Sequence, residues 1–255
     1  MRAFLLSVAV SLWLLSALAR AGDVPVDLEL IIAIDGSASM DAGEQALQRQ
    51  GYISAFMSRE LVLAVTSGPL HRIAVAFVEW SDVAHQRIVV PWTLIDGEAS
   101  AAEFSRGLDA PVHNDAVRTS ISSALLFSAA LFDGNGYSGG RRVIDISGDG
   151  VNNAGPSLEA ARAWVVTRGI TINGLPLVLK DSMRRIAHDP TIESYYRDCV
   201  IGGPDAFFLT VQTRSDFGVA IRQKLVREIA FLRIGSSGNS VVRAFIAANC
   251  GDGTK

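Results

Sequence analysis

The segment Leu28-Glu29-Leu30-Ile31-Ile32-Ala33-Ile34 is almost continuously apolar and is stopped abruptly by Asp35-Gly36. Seven such residues are too few for a core helix and lack the alternation of a half-exposed strand. They read as a strand buried on both faces, the kind found in a parallel sheet covered by helices. The next segments of the chain keep to that plan. Asp41-Ala42-Gly43-Glu44 has acidic groups at N-cap and N3, a capping-box variant, and Ile53, Phe56, Met57 and Leu61 continue the helix on one apolar face. Ile73–Trp80 and Arg87–Leu94 are strand-like and joined by a polar turn at Ser81-Asp82, as in an antiparallel hairpin at a sheet edge.

Further on, a weaker helix is expected over 99–108, and Thr119 opens a better one with Ile121, Leu125, Ala129 and Phe132 at helical spacing. Arg142–Ser147 is a short apolar strand ending at Gly148-Asp149-Gly150. Gly155-Pro156 is expected to start a helix that stops before Gly169. Strands are expected at Ile170–Leu175 and Ala206–Val211, and a last helix at Ser215–Arg233. Regular alternation of the two element types predicts an α/β three-layer sandwich with a mainly parallel central sheet and one antiparallel edge hairpin. No repeat or low-complexity linker divides the 255 residues, so one domain is expected over 22–255, with its core at about 26–233. Residues 180–204 read as an irregular elaboration and 235–255 as a tail.

A mean hydropathy of +0.29 invites a membrane reading. Most of it comes from the N-terminus, where Arg2 precedes the apolar run Ala3–Leu18 and the small-residue site Ala19-Arg20-Ala21. That pattern describes a secretory signal peptide over 1–21, with Ala17-Leu18-Ala19 as an alternative cleavage site. An uncleaved anchor is the rival reading, but an anchor wants about 20 apolar residues. Cleavage would remove two arginines and no acids, leaving 21 basic against 26 acidic residues, a net charge of −5. An exported, periplasmic or secreted protein of a bacterial envelope is expected, with no stable membrane span after cleavage. An acidic balance and a pI near 5.8 speak against a nucleic-acid partner. In an oxidising compartment Cys199 and Cys250 are expected to bridge, which is favoured over two separate thiols.

Ligands of open α/β sheets bind at the carboxyl ends of the strands. There the sequence places Asp35, Ser37 and Ser39 after the first strand, Asp149 after a later one, and Thr119 at a helix start. Two carboxylates and three hydroxyls are hard oxygen donors suited to Mg²⁺, with Mn²⁺ or Ca²⁺ as substitutes, and unsuited to a thiolate-seeking metal. An EF-hand loop from Asp35 fails at Met40 and Ala46, where Gly and Glu are needed. The glycine-rich 133–140 lacks the Lys-Ser/Thr end of a phosphate loop, and no G-x-S-x-G elbow makes Ser37 a nucleophile. His71, His85, His113 and His188 show no paired ligand spacing.

Asp35-x-Ser37-x-Ser39, the distant Thr119 and Asp149-Gly150 together resemble the metal-ion-dependent adhesion site of von Willebrand factor A domains. By its overall run the chain also resembles a bacterial family of secreted von Willebrand factor A-like proteins of unknown function. The resemblance implies hydroxyl ligation by Ser37, Ser39 and Thr119, water-mediated or outer contacts from Asp35 and Asp149, and a last position left for a partner's Asp or Glu. It implies a non-enzymatic module binding an acidic group of a protein; a metal-dependent hydrolase or phosphatase, or a metal-independent interaction on the same fold, are the alternatives. Arg118 and Gly148 depart from the pattern, which commonly has a small residue and a Thr there. Arg118, Asp145 and Asn152 are left as rim or outer residues, Asp145 because an acid between Ile144 and Ile146 needs a buried partner.

Overall fold

A computed structural model describes residues 22–109, 118–178, 192–230 and 250. The expected leader, His113, His188, residues 180–191 of the elaboration and the tail apart from Cys250 lie outside them. The first buried run forms β2 (Glu29–Asp35) after a short β1 (Val24–Val26). All seven residues of β2 are buried. Asp41 and Glu44 close the capping box of α1 (Ala42–Phe56), each side chain accepting the other's backbone N–H. The expected single helix is in fact two. Ser58 turns extended and caps α2 (Arg59–Thr66), so Met57 falls at the break and is exposed.

β3 (Ile73–Trp80) and β4 (Gln86–Ile95) make the antiparallel hairpin, and α3 (Glu98–Gly107) comes after it. Ser120, not Thr119, caps α4 (Ile121–Ala130), because its Oγ accepts from the Ser123 N–H. β5 (Tyr137–Gly139) pairs with β1 in a separate two-stranded parallel sheet, which the glycine-rich composition of 133–140 does not foretell. β6 (Arg142–Gly148) leads to α5 (Leu158–Thr167), whose cap is Ser157, so Pro156 stands before the helix and not within it. β7 (Ile170–Pro176) comes next. Residues 206–211 form no strand; they meet β7 through an isolated bridge at Gly174–Phe208, and the chain just past its end through one at Leu177–Val211. The described end of the elaboration is helical, with α6 (Ile192–Tyr195) running into a π-helical turn at Tyr196–Val200. Last comes α7 (Phe217–Ile229).

The central sheet has the order β4-β3-β2-β6-β7, parallel except for β3–β4. Side chains alternate along each strand, so parity assigns every core residue to a face. Leu30, Ile32 and Ile34 of β2 join Tyr52 and Phe56 of α1 and Ile221 and Leu225 of α7. Ile31 and Ala33 join Ile121 and Leu125 of α4, Val165 of α5 and Tyr195 and Tyr196. Three layers result, as the alternating elements predict. Cys199 in the π-helical turn belongs to the core of the second layer and is bonded to Cys250, which packs against the same core.

Candidate metal centre

Parity places Asp35 on the second face, beyond Ile31 and Ala33, at the carboxyl end of the central strand. Its side chain is fully buried. Asp35 Oδ1 accepts from the Ser37 N–H at 2.7 Å, the two-residue Asx turn that folds the chain back over the strand end. Ser37 and Ser39 then point the same way, with their Oγ atoms 2.8 Å apart. Ser39 Oγ donates to Asp149 Oδ1 at 2.7 Å across 110 residues of sequence. Four of the five expected ligand residues thus form one connected group.

The fifth is held beside it by a clamp from Asn153, a residue that reads from sequence as ordinary loop. The Asn153 side chain accepts from the Thr119 N–H at 2.9 Å, and the Asn153 N–H donates back to the Thr119 carbonyl at 2.9 Å. The Ser120 N–H donates to the Ser81 carbonyl at 2.7 Å, tying the same stretch to the hairpin end. Thr119 Oγ1 would lie 3.4 Å from a Cβ placed on Gly150, so its hydroxyl faces the Asp149 turn. Gly155 has φ +88° and sits so close that a Cβ would come within 2.4 Å of Ser120 Oγ, which only glycine permits.

Burial and a second acid nearby carry an electrostatic cost at Asp35. Burial, then the charge of Asp149, raises the carboxyl of Asp35 from an ordinary 3.8 to about 7, against the lowering pull of hydrogen bonds from Ser37 and the Asp149 backbone. Asp35 Oδ2 is buried with no hydrogen-bond partner. A divalent cation would remove that cost, and hydroxyl and carboxylate oxygens are the donors it takes. The residues therefore fit the group that the donor set implies. Among the described residues no three His, Cys, Asp or Glu gather as a metal cluster.

Of the outer residues, Asn152 is wholly buried and so is not part of a rim. Its side chain accepts from the Ser122 N–H, and its own N–H donates to Tyr195 Oη, each at 3.0 Å. It braces the start of α4 against the elaboration. Asp145 points to the opposite face and pairs with the buried Lys224 of α7, so it is structural and not part of the site. Arg118 is exposed at the edge of the described chain.

The glycine at 148 has a spatial reason. A Cβ there would stand 2.8 Å from Tyr196 Oη, 3.0 Å from Asp35 Oδ2 and 3.3 Å from Trp80 Cζ2. Trp80 itself is pinned by its indole N–H to the Ala33 carbonyl at 3.2 Å. Neither aromatic can be tied to the site from sequence, because the contact joins residues from four separate elements.

Proximal thread matrix protein 1 from the mussel byssus is similar in structure, with a TM-score of 0.59, 14% identity, and coverage of 80% of this chain and 49% of that one. A structure of the same protein with a zinc-occupied MIDAS motif matches with a TM-score of 0.54 and 18% identity over 82% of this chain and 49% of that one. A von Willebrand factor type A structure from Catenulispora acidiphila matches with a TM-score of 0.53 and 16% identity, covering 80% and 43%. The chain spans about half or less of the length of these proteins. None of the curated proteins compared with the chain matches it. Residues 25–233 match the family described as protein of unknown function (DUF1194). With that match over most of its length, and with a sheet order and helical layers like those of von Willebrand factor type A domains, the chain belongs to the DUF1194 family and has a von Willebrand factor A-like fold.

Proposed function

We propose that the chain is an exported, non-enzymatic binding module that takes an acidic group of a protein partner through a cation held by Asp35, Ser37, Ser39, Thr119 and Asp149. The observation that carries this reading is the buried Asp35, with one oxygen unpartnered, beside the Ser37–Ser39–Asp149 chain. Bound there, Mg²⁺ or a substitute such as Mn²⁺ or Ca²⁺ would supply a concentrated positive charge. Neutral hydroxyls among its ligands would leave much of that charge unspent, which favours an Asp or Glu side chain from outside. Ser37 Oγ lies 2.8 Å from Ser39 Oγ within a set of oxygen donors, an arrangement suited to holding an ion. Export is supported by the Cys199–Cys250 bridge, since such bonds persist in oxidising compartments. No helix among the described residues is long and apolar enough to cross a membrane.

Calorimetric titration of chelator-stripped protein with Mg²⁺, Mn²⁺, Ca²⁺ and, for comparison, Zn²⁺ tests the site. Saturable binding that disappears in Asp35→Ala is expected. No binding, or binding untouched by that substitution, would remove the metal from this reading. Retention of envelope proteins on immobilised protein should be released by EDTA; retention insensitive to EDTA would favour a metal-independent interaction.

A further inference from the structure

Tyr196 occupies a slot cut from two strands by two glycines. A Cβ on Gly174 of β7 would come within 2.7 Å of Tyr196 Cδ1, and one on Gly148 of β6 within 2.8 Å of Tyr196 Oη. Gly174 pairs with Ile146, two residues before Gly148, so both openings lie on one face of the β6–β7 pair. The ring enters over Gly174 and its hydroxyl arrives at Gly148, where the other near atom is Asp35 Oδ2 at 3.0 Å from the same point. Tyr196 is 0% exposed, and both Tyr196 Oη and Asp35 Oδ2 are buried without a hydrogen-bond partner. Aligning a donor of this kind with an acceptor of this kind, two orphaned atoms against the same glycine, would relieve a cost that neither meets alone.

We infer that Tyr196 is a positioning residue of the metal centre, its phenol O–H donating to Asp35 Oδ2 and holding that carboxylate in place when a cation is bound. The inference rests on the metal reading above and adds to it a residue from outside the five-residue motif. The side chain comes from the elaboration, whose turn is fixed three residues later by Cys199. That turn therefore has a task at the sheet end besides covering it. Tyr195, its neighbour, accepts from the Asn152 N–H and so steadies the loop after Asp149.

The test is Tyr196→Phe in the full mature chain, which keeps the ring in its slot and removes only the hydroxyl. Loss of a hydrogen-bond partner to a metal ligand typically weakens affinity about 10–100-fold, and that loss is expected for Mg²⁺ or Mn²⁺ by calorimetry. The metal-free melting temperature should hold or rise, because the phenol lacks a partner there. Metal binding to the parent protein should also perturb the tyrosine ultraviolet difference spectrum, and the perturbation should shrink in Tyr196→Phe. Unchanged affinity in Tyr196→Phe overturns the inference while leaving the metal reading intact. Weaker binding with a lowered metal-free melting temperature assigns Tyr196 a structural role and also overturns it. A parent protein that binds no metal overturns both.

Discussion

Asp35 holds a proton to about pH 7 when folded, whereas its ordinary value is 3.8. Between those values folding takes up a proton, so the metal-free protein is favoured at low pH and loses that stability as pH rises through about 7. Asp35→Asn should flatten this part of the stability curve and raise the metal-free melting temperature at pH 8, while abolishing Mg²⁺ affinity. Thermal melts across pH 4–8 check it, and a slope identical to that of the parent would count against the buried acid pair. At this scale the motif itself was legible, since Asp35, Ser37, Ser39, Thr119 and Asp149 can be picked out by residue type and by position after strands. Asn153 and Tyr196 were not. Their roles depend on which backbone amide or glycine happens to face them, and linear spacing carries no such record.

Helix α7 is secured to β6 by charges inside the core. Lys224 is wholly buried, pairs with Asp145, and donates to Glu228 Oε1 at 2.5 Å. Asn173 Nδ2 donates to the same Glu228 oxygen at 3.1 Å. One buried cation between two buried acids leaves an excess negative charge. Accordingly burial, then Asp145, raises Glu228 from 4.5 to about 7 against the lowering effect of Lys224. Lys224→Met strands both acids and should cost roughly 3–5 kcal/mol, read by denaturant unfolding. Glu228→Gln should be far milder and should remove the stability loss that the raised carboxyl adds as pH climbs from about 4.5 to about 7. Equal costs for the two substitutions would argue against this charge balance. The sequence flagged Asp145 as needing a partner but could not name one, because Lys224 lies 79 residues away on another element. Element boundaries show the same division. The capping box at Asp41–Glu44 is local and was readable, and the break at Ser58 rests on an equally local serine cap, whereas the failure of 206–211 to form a strand depended on tertiary neighbours.

Across the whole molecule the Cys199–Cys250 bridge closes 51 residues of chain and joins the turn of the elaboration to a cysteine packed against the core beneath the candidate centre. By loop entropy its loss should cost about 3–4 kcal/mol, measurable as a lower denaturation midpoint for the Cys199→Ser, Cys250→Ser double variant. Because the bridge anchors the turn carrying Tyr195 and Tyr196, metal affinity should fall with it; affinity preserved in a destabilised protein would separate the two regions. The sequence by itself determined the layered α/β plan, the edge hairpin and the oxygen-rich strand ends, because hydrophobic period and turn chemistry act over a few residues. Only the tertiary structure decided that Gly148 and Gly174 open a slot for Tyr196, that Asn153 clamps Thr119, and that Asp145 belongs to α7 and not to the site. Those contacts join residues tens of positions apart, and close packing alone determines which of them meet.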